Sequence, residues 1–218
     1  MALTIFDLDN TLLGGDSDYL WGRFLAREGV VDGDRYEHEN ARFYREYQSG
    51  TLDIHEFLRF SLRPLRDQPR QRMEALRARF VTELIEPIML TAARALIDAH
   101  QAAGDTLMII TATNAFVTAP IAERFGISHL IATQPAEENG QFTGEVEGVP
   151  AFREGKVTRL EEWLTAHRQD LTGSSFYSDS HNDLPLLERV ERPVAVDPDR
   201  QLHAIATSRG WTILSLRA

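Results

Sequence analysis

Asp7 and Asp9 stand two residues apart in the stretch Asp7-Leu8-Asp9-Asn10-Thr11, directly after the short apolar run Leu3-Thr4-Ile5-Phe6. Such a run reads as a buried strand, and in open α/β sheets ligands gather at the carboxyl ends of the strands. Two carboxylates at that place divide two tasks. One can hold Mg2+ with one oxygen and attack phosphorus with the other. Its neighbour, off the metal, can give a proton to the leaving oxygen and later take one from water. Read alone, the pentapeptide also fits a polar turn closing a strand, the lesser of the two readings.

The elements that must position these acids are legible in the rest of the chain. Short apolar runs recur at 107–110, 130–132, 175–177, 193–196 and 212–216, and amphipathic stretches fill 91–103, 115–125, 155–167, 183–190 and 199–209. Gly104, Gly126 and Gly210 sit just past three of these stretches, where helices commonly end. Strand and helix in alternation predict an α/β fold, a doubly wound parallel sheet of Rossmann-like type. The segment 14–85 interrupts the alternation: Met73, Leu76, Phe80 and Leu84 recur at helical spacing and no strand pattern is visible. We therefore expect residues 1–13 and 86–218 to form the core domain, with 14–85 inserted as an all-helical cap. The alternating stretch 141–146, bounded by Asn139-Gly140 and Gly148, predicts a small hairpin beside the sheet.

Composition bounds the partners. The 218 residues are 43% hydrophobic and 26% charged, enough to bury a full core, and carry a net charge of −10. Nucleic acid and anionic membrane are not expected as partners, since both need clustered Lys and Arg. An anionic small molecule remains open to an acidic protein, because a metal ion and one lysine supply the local positive charge. There is no cysteine, and neither a long apolar run nor a basic-then-apolar opening is visible, so a cytoplasmic location is expected.

Asp7-Leu8-Asp9-Asn10-Thr11 resembles the first motif of the haloacid dehalogenase superfamily of phosphotransferases, Asp-x-Asp-x-Thr, and the remaining motifs follow in order. Leu107-Met108-Ile109-Ile110-Thr111 resembles the second, Lys156 after Gly155 the third, and Ser178-Asp179-Ser180-His181-Asn182-Asp183 the fourth. The resemblance implies a Mg2+-dependent phosphatase acting on a small phosphomonoester through an aspartyl-phosphate. Asp7 would be the nucleophile and Asp9 the acid and base. Mg2+ would rest on Asp7, the Asp9 carbonyl and Asp179, with Asp183 behind them. Thr11, Thr111, Ala112, Lys156 and Asn182 would surround the phosphate. The helical insertion resembles the C1-type cap of the subfamily that contains phosphoserine phosphatase.

Departures from that pattern fall where substrate is chosen. Ala112-Thr113-Asn114 replaces a usual glycine pair, and Ser178 and Ser180-His181 replace glycine-rich residues. Asp16 falls where a glutamate meets the substrate ammonium, and Arg59 where an arginine grips a carboxylate. Asp16 and Asp18 beside Trp21 and Phe24 suit an ammonium and a heteroaromatic ring. The chain thus looks closer to the branch that includes L-histidinol-phosphate phosphatases than to phosphoserine phosphatases proper. A phosphotransferase would share every catalytic residue. A non-enzymatic phospho-accepting signalling domain combines similar groups, but an acceptor on the first strand, followed by the insertion, is the wrong order for one.

Overall fold

The computed structural model describes residues 2–217. The first strand, β1 (Leu3–Phe6), is followed by α1 (Ser17–Arg27), α2 (Gly33–Ser49), α3 (Ile54–Ser61), α4 (Arg63–Asp67) and α5 (Arg70–Phe80). A π-helical turn, Val81–Ile85, and a 3-10 turn, Glu86–Ile88, lead to α6 (Thr91–Ala102), β2 (Thr106–Asn114), α7 (Ala115–Phe125), β3 (His129–Glu138) and β4 (Gln141–Glu147). The chain then forms α8 (Glu154–His167), β5 (Ser175–Ser178), α9 (Leu184–Leu187), β6 (Arg192–Val196), α10 (Arg200–Arg209) and β7 (Thr212–Leu214).

The strands make one seven-stranded sheet in the order β4-β3-β2-β1-β5-β6-β7, parallel except for β4. This is the expected Rossmann-like α/β fold. β1 lies at the centre with β2 on one side and β5 on the other, so the acids after β1 and β5 emerge next to the end of β2.

Strand parity explains the two faces. Leu3 and Ile5 of β1, Met108 and Ile110 of β2, Phe176 of β5 and Ala195 of β6 join one buried cluster with Leu160 of α8, Leu187 of α9 and Leu202 of α10. Their alternates, Phe6, Ile109, Tyr177 and Val194, point the other way into a larger cluster. That cluster takes in Ile97 of α6, Val117 and Ile121 of α7, and Trp21, Phe24, Met73 and Phe80 from the inserted helices. Fully burying a side chain such as Phe6 or Phe176 stabilises the fold by roughly 1.5–3 kcal/mol. The two ends of the insertion run side by side: Leu13 bridges Met89, Gly14 donates to Ile88 and Leu90 donates to Leu12.

The expected separate hairpin at 141–146 is corrected. β3 runs on through Glu138 and pairs antiparallel with β4 across an Asn139-Gly140 turn, making β4 the edge of the main sheet. Both turn residues have positive φ, 51° and 78°, as the tight two-residue hairpin requires. Beyond Ala132 β3 continues as Thr133-Gln134-Pro135-Ala136-Glu137-Glu138, with Thr133 and Pro135 buried and the two glutamates exposed, and this polar sequence hid the extension from a reading by apolar runs. β2 is also longer than its apolar run. Its pairing with β3 slips between Thr111 and Asn114, and that irregularity turns the chain at the very point where the site begins.

Candidate active site

The turn after β1 is unusually tight. The Leu8 carbonyl accepts from the amides of Thr11, Leu12 and Leu13, and Asn10 adopts a φ of 59°, which asparagine tolerates better than most residues. The coil folds Thr11 back over the strand end. Its hydroxyl lies 3.1 Å from Asp179 Oδ1 and 3.5 Å from Asp7 Oδ2, so one side chain spans the two acids contributed by β1 and the loop after β5.

Lys156 enters from the first turn of α8. Its Nζ donates to Asp7 Oδ1 at 2.7 Å and to Asp183 Oδ2 at 2.9 Å, and only 2% of the residue is exposed. Asp183 also accepts from the Ser178 hydroxyl at 2.7 Å, so its carboxylate is turned toward Lys156 and Ser178. Burial alone would lower the lysine pKa, yet the charges of Asp183 and Asp7 overcome it and raise it. Lys156 is therefore a permanent cation.

Asp9 sits apart from Lys156. Its Oδ1 accepts from the Ser17 amide at 2.6 Å and its Oδ2 from the Thr113 hydroxyl at 2.7 Å. Burial pushes its pKa up against those hydrogen bonds, the direction a proton donor needs. Thr111, 1% exposed, ends the regular part of β2, and its hydroxyl accepts from the Thr113 amide.

These groups floor a cavity under the inserted helices. Asp7, Asp9, Thr111, Ala112 and Thr113 line it below, Asp16 and Asp18 line one side, and Phe43, Tyr44, Tyr47, Phe57 and Phe152 supply aromatic wall. No Arg or Lys is among its lining residues. The acids raise one another. Burial, opposed by the charge of Lys156 and aided by Asp183 and Asp9, raises Asp7 to about 7. Burial, then the charges of Asp7 and Asp183, holds Asp179 well above the usual carboxylate range. Burial and Asp9 push Asp18 up to about 7 and hold Asp16 well above its ordinary value. A pocket lined by one buried and three half-buried carboxylates, its only nearby lysine already engaged by Asp7 and Asp183, is built to receive positive charge.

Three residues expected at the substrate are elsewhere. Trp21 and Phe24 stack on each other at 5.7 Å and pack against Phe80, 2% and 1% exposed, as core of the insertion. They occupy the inward stripe of α1, while Asp18 and Tyr19 on the adjoining face reach the cavity. Arg59 is exposed on α3 and does not line the cavity. Asn182, expected at the phosphate, spends its amide on the protein: Nδ2 donates to the Tyr47 carbonyl and Ser180 hydroxyl, and Oδ1 accepts from Arg153. Asp16 lines the cavity as expected, but its Oδ1 also caps α1 by accepting from the Tyr19 amide at 2.8 Å.

Thr113 escaped the sequence reading because the slip that aims it at Asp9 leaves no trace in an apolar pattern. Asn114 carried the available signal, since it caps α7 and marks where the strand must turn.

The chain matches the haloacid dehalogenase-like hydrolase family model over residues 4–188. It is 42% identical to a histidinol-phosphatase of Neisseria meningitidis serogroup C (strain 8013), covering 99% of both chains. A solved structure of a protein of unknown function from Bordetella pertussis Tohama I superposes with a TM-score of 0.93 at 43% identity, covering 99% of this chain and 98% of that one. A phospho-aspartyl intermediate analogue of phosphoserine phosphatase shares the fold, with a TM-score of 0.72 at 20% identity over 99% and 93% of the two chains. The chain belongs to the haloacid dehalogenase-like hydrolases and is a phosphatase of that family.

Proposed function

We propose that this phosphatase hydrolyses L-histidinol phosphate through an aspartyl-phosphate on Asp7, with residues 14–85 as the cap that contributes the substrate pocket. The carrying observation is the charge of the cavity. Asp16 and Asp18 face it, aromatic rings wall it, and no Arg or Lys lines it. L-Histidinol phosphate offers an ammonium for the acids and an imidazole for the rings, and brings no carboxylate. Phosphoserine brings a carboxylate that would meet buried acids with no cation to answer it, at a cost of several kcal/mol. The name of the Neisseria relative supports the same choice.

The donor set fits Mg2+. Asp7 and Asp179 share the Thr11 hydroxyl, and both carboxylates are raised by burial first and then by neighbouring carboxylates, Asp183 among them for each, the condition a hard cation relieves. Asp7, Asp179 and the Asp9 carbonyl would hold it, all oxygen donors, with Asp183 kept behind by Lys156 and Ser178. Bound there, Mg2+ would hold Asp7 ionised and neutralise charge on the phosphoryl oxygens.

The chain's own groups divide the remaining work. Asp7 Oδ attacks phosphorus, forming the acyl-phosphate bond as the bond to the substrate's ester oxygen breaks, and Asp9 delivers its proton to that oxygen. Water then gives a proton back to Asp9 as it attacks phosphorus, and the Asp7 carboxylate leaves. Lys156 and the Thr111 hydroxyl steady the equatorial oxygens. The Ser17 amide and Thr113 hydroxyl orient Asp9 at the leaving group.

Phosphate release from L-histidinol phosphate and from phosphoserine, each with Mg2+ and with EDTA, tests the proposal. We expect at least about tenfold higher kcat/KM for histidinol phosphate, the equivalent of roughly 1.4 kcal/mol, and loss of both activities in EDTA. The reverse ranking would overturn the substrate assignment, and full activity in EDTA the metal assignment.

A further inference from the structure

We infer that Arg153 is a positioning residue that ties the end of cap helix α2 to the placement of Lys156. The inference rests on the phosphoryl-transfer reading of Lys156 and Asp7. Arg153 caps the start of α8 with φ 49° and ψ −121°, a conformation that suits glycine and strains a residue with a Cβ. An arginine kept in a glycine's conformation points to a use for its side chain. The guanidinium has that use: Nε and Nη2 donate to Asn182 Oδ1 at 3.0 and 2.9 Å, and Nη2 also donates to the Gly50 carbonyl just past α2. Asn182 in turn donates to the carbonyl of Tyr47 in the last turn of α2, at 3.0 Å. Core residues thus grip two carbonyls at a helix C-terminus, where a cation is favoured by the orphan acceptors and the dipole.

The cap side is fitted to this grip. Gly50 has φ 72°, and a Cβ there would come within 2.7 Å of His181 Nε2 and 3.3 Å of Arg153 Nη2, so a larger residue would be strained and would push both side chains aside. Phe152, beside Arg153, packs with Phe43 and Leu52 of the cap and lines the cavity. On the core side both routes from Arg153 lead to Lys156. Its carbonyl accepts from the Lys156 amide at 3.0 Å, and its partner Asn182 adjoins Asp183, which holds Lys156 Nζ. When α2 seats on the core, the guanidinium fixes the start of α8 and the loop after β5 together, and with them the cation facing Asp7.

The test compares Arg153→Gly and Arg153→Lys with the parent. Arg153→Gly keeps the backbone conformation and relieves the strain while removing the guanidinium's hydrogen bonds, so a urea midpoint near the parent's, measured beside the kinetics, excludes misfolding as the cause of any loss. We expect kcat on histidinol phosphate to fall more than fivefold with KM within threefold, and amides of 47–52 to exchange faster in the substrate-free protein. Arg153→Lys, able to reach only one of the two acceptors, should recover less than half of the lost kcat. A kcat within fivefold of the parent overturns the inference, as does a larger fall with unchanged exchange at 47–52 or with full recovery in Arg153→Lys. The exchange readout needs no turnover, so it stands or fails apart from the substrate assignment.

Discussion

Lys156 Nζ lies 2.7 Å from Asp7 Oδ1 with 3% and 6% of the two side chains exposed, so the pair is an ion pair held out of solvent. Removing one member of a buried pair leaves the other charge without compensation, at about 3–5 kcal/mol. Lys156→Met should therefore unfold at lower urea at pH 8, and turnover should vanish. At pH 5 the penalty should shrink, because Asp7, already raised to about 7 with the lysine present, is then protonated. A pH-independent penalty would mean that lost packing, not the uncompensated carboxylates, causes the destabilisation.

Asp7→Asn should behave oppositely in stability. Its amide oxygen still accepts from Lys156, and Lys156 and Asp183 remain as a neutral pair, so the melting temperature should hold or rise. The amide is no nucleophile, and phosphate release should drop by more than about a hundredfold. Retention of a few per cent of activity in a folded variant would displace Asp7 from the nucleophile's role.

Asp9→Asn separates proton transfer from positioning. The amide retains an acceptor for the Thr113 hydroxyl or the Ser17 amide but cannot donate a carboxyl proton. The loss should be large on histidinol phosphate, whose alkoxide leaves poorly, and at least about tenfold smaller on p-nitrophenyl phosphate. Equal losses on both substrates would leave Asp9 with an orienting role alone.

The placement of the cavity floor was legible in the sequence because each part is local: a short apolar run followed at once by the residue it presents. Asp7, Thr111 and Asp179 all sit at such strand ends, and sheet order brings them together without further information. The pocket wall was not legible, because an aromatic on a helix has the same identity whether it faces core or cavity. Trp21 and Phe24 fell on the inner stripe of α1, while Tyr44 and Tyr47 of α2 face the cavity. The packing of each helix against its neighbours decides between those outcomes. That packing includes contacts distant in sequence, such as Arg153 with Gly50.

This correction carries its own test. Trp21→Ala should lower stability by about 3–5 kcal/mol as a core truncation. Arg59→Ala, altering an exposed side chain, should leave stability and kcat/KM on histidinol phosphate within about twofold, which is less than 0.5 kcal/mol. A selective KM increase in Arg59→Ala would return Arg59 to the binding site.

Asp18 joins substrate choice to pH. Burial, followed by the charge of Asp9, raises it to about 7 from an ordinary value of 3.8. A carboxyl whose folded pKa is raised stabilises the fold below its unfolded pKa, and that contribution is lost as pH climbs through the folded value. The substrate-free protein should therefore lose stability between about pH 4 and pH 7. Asp18→Asn should flatten that decline, matching the parent near pH 4 and exceeding it at pH 8 by more than about 1 kcal/mol. The same substitution deprives the ligand's ammonium of an anionic partner. KM for histidinol phosphate should then rise more than about tenfold, while p-nitrophenyl phosphate, which has no ammonium, should keep its KM. Urea titrations across pH and paired Michaelis curves measure both effects. A stabilised variant whose KM is unchanged on both substrates would show that Asp18 is buried for no substrate's sake and would leave Asp16 as the acid that meets the ammonium.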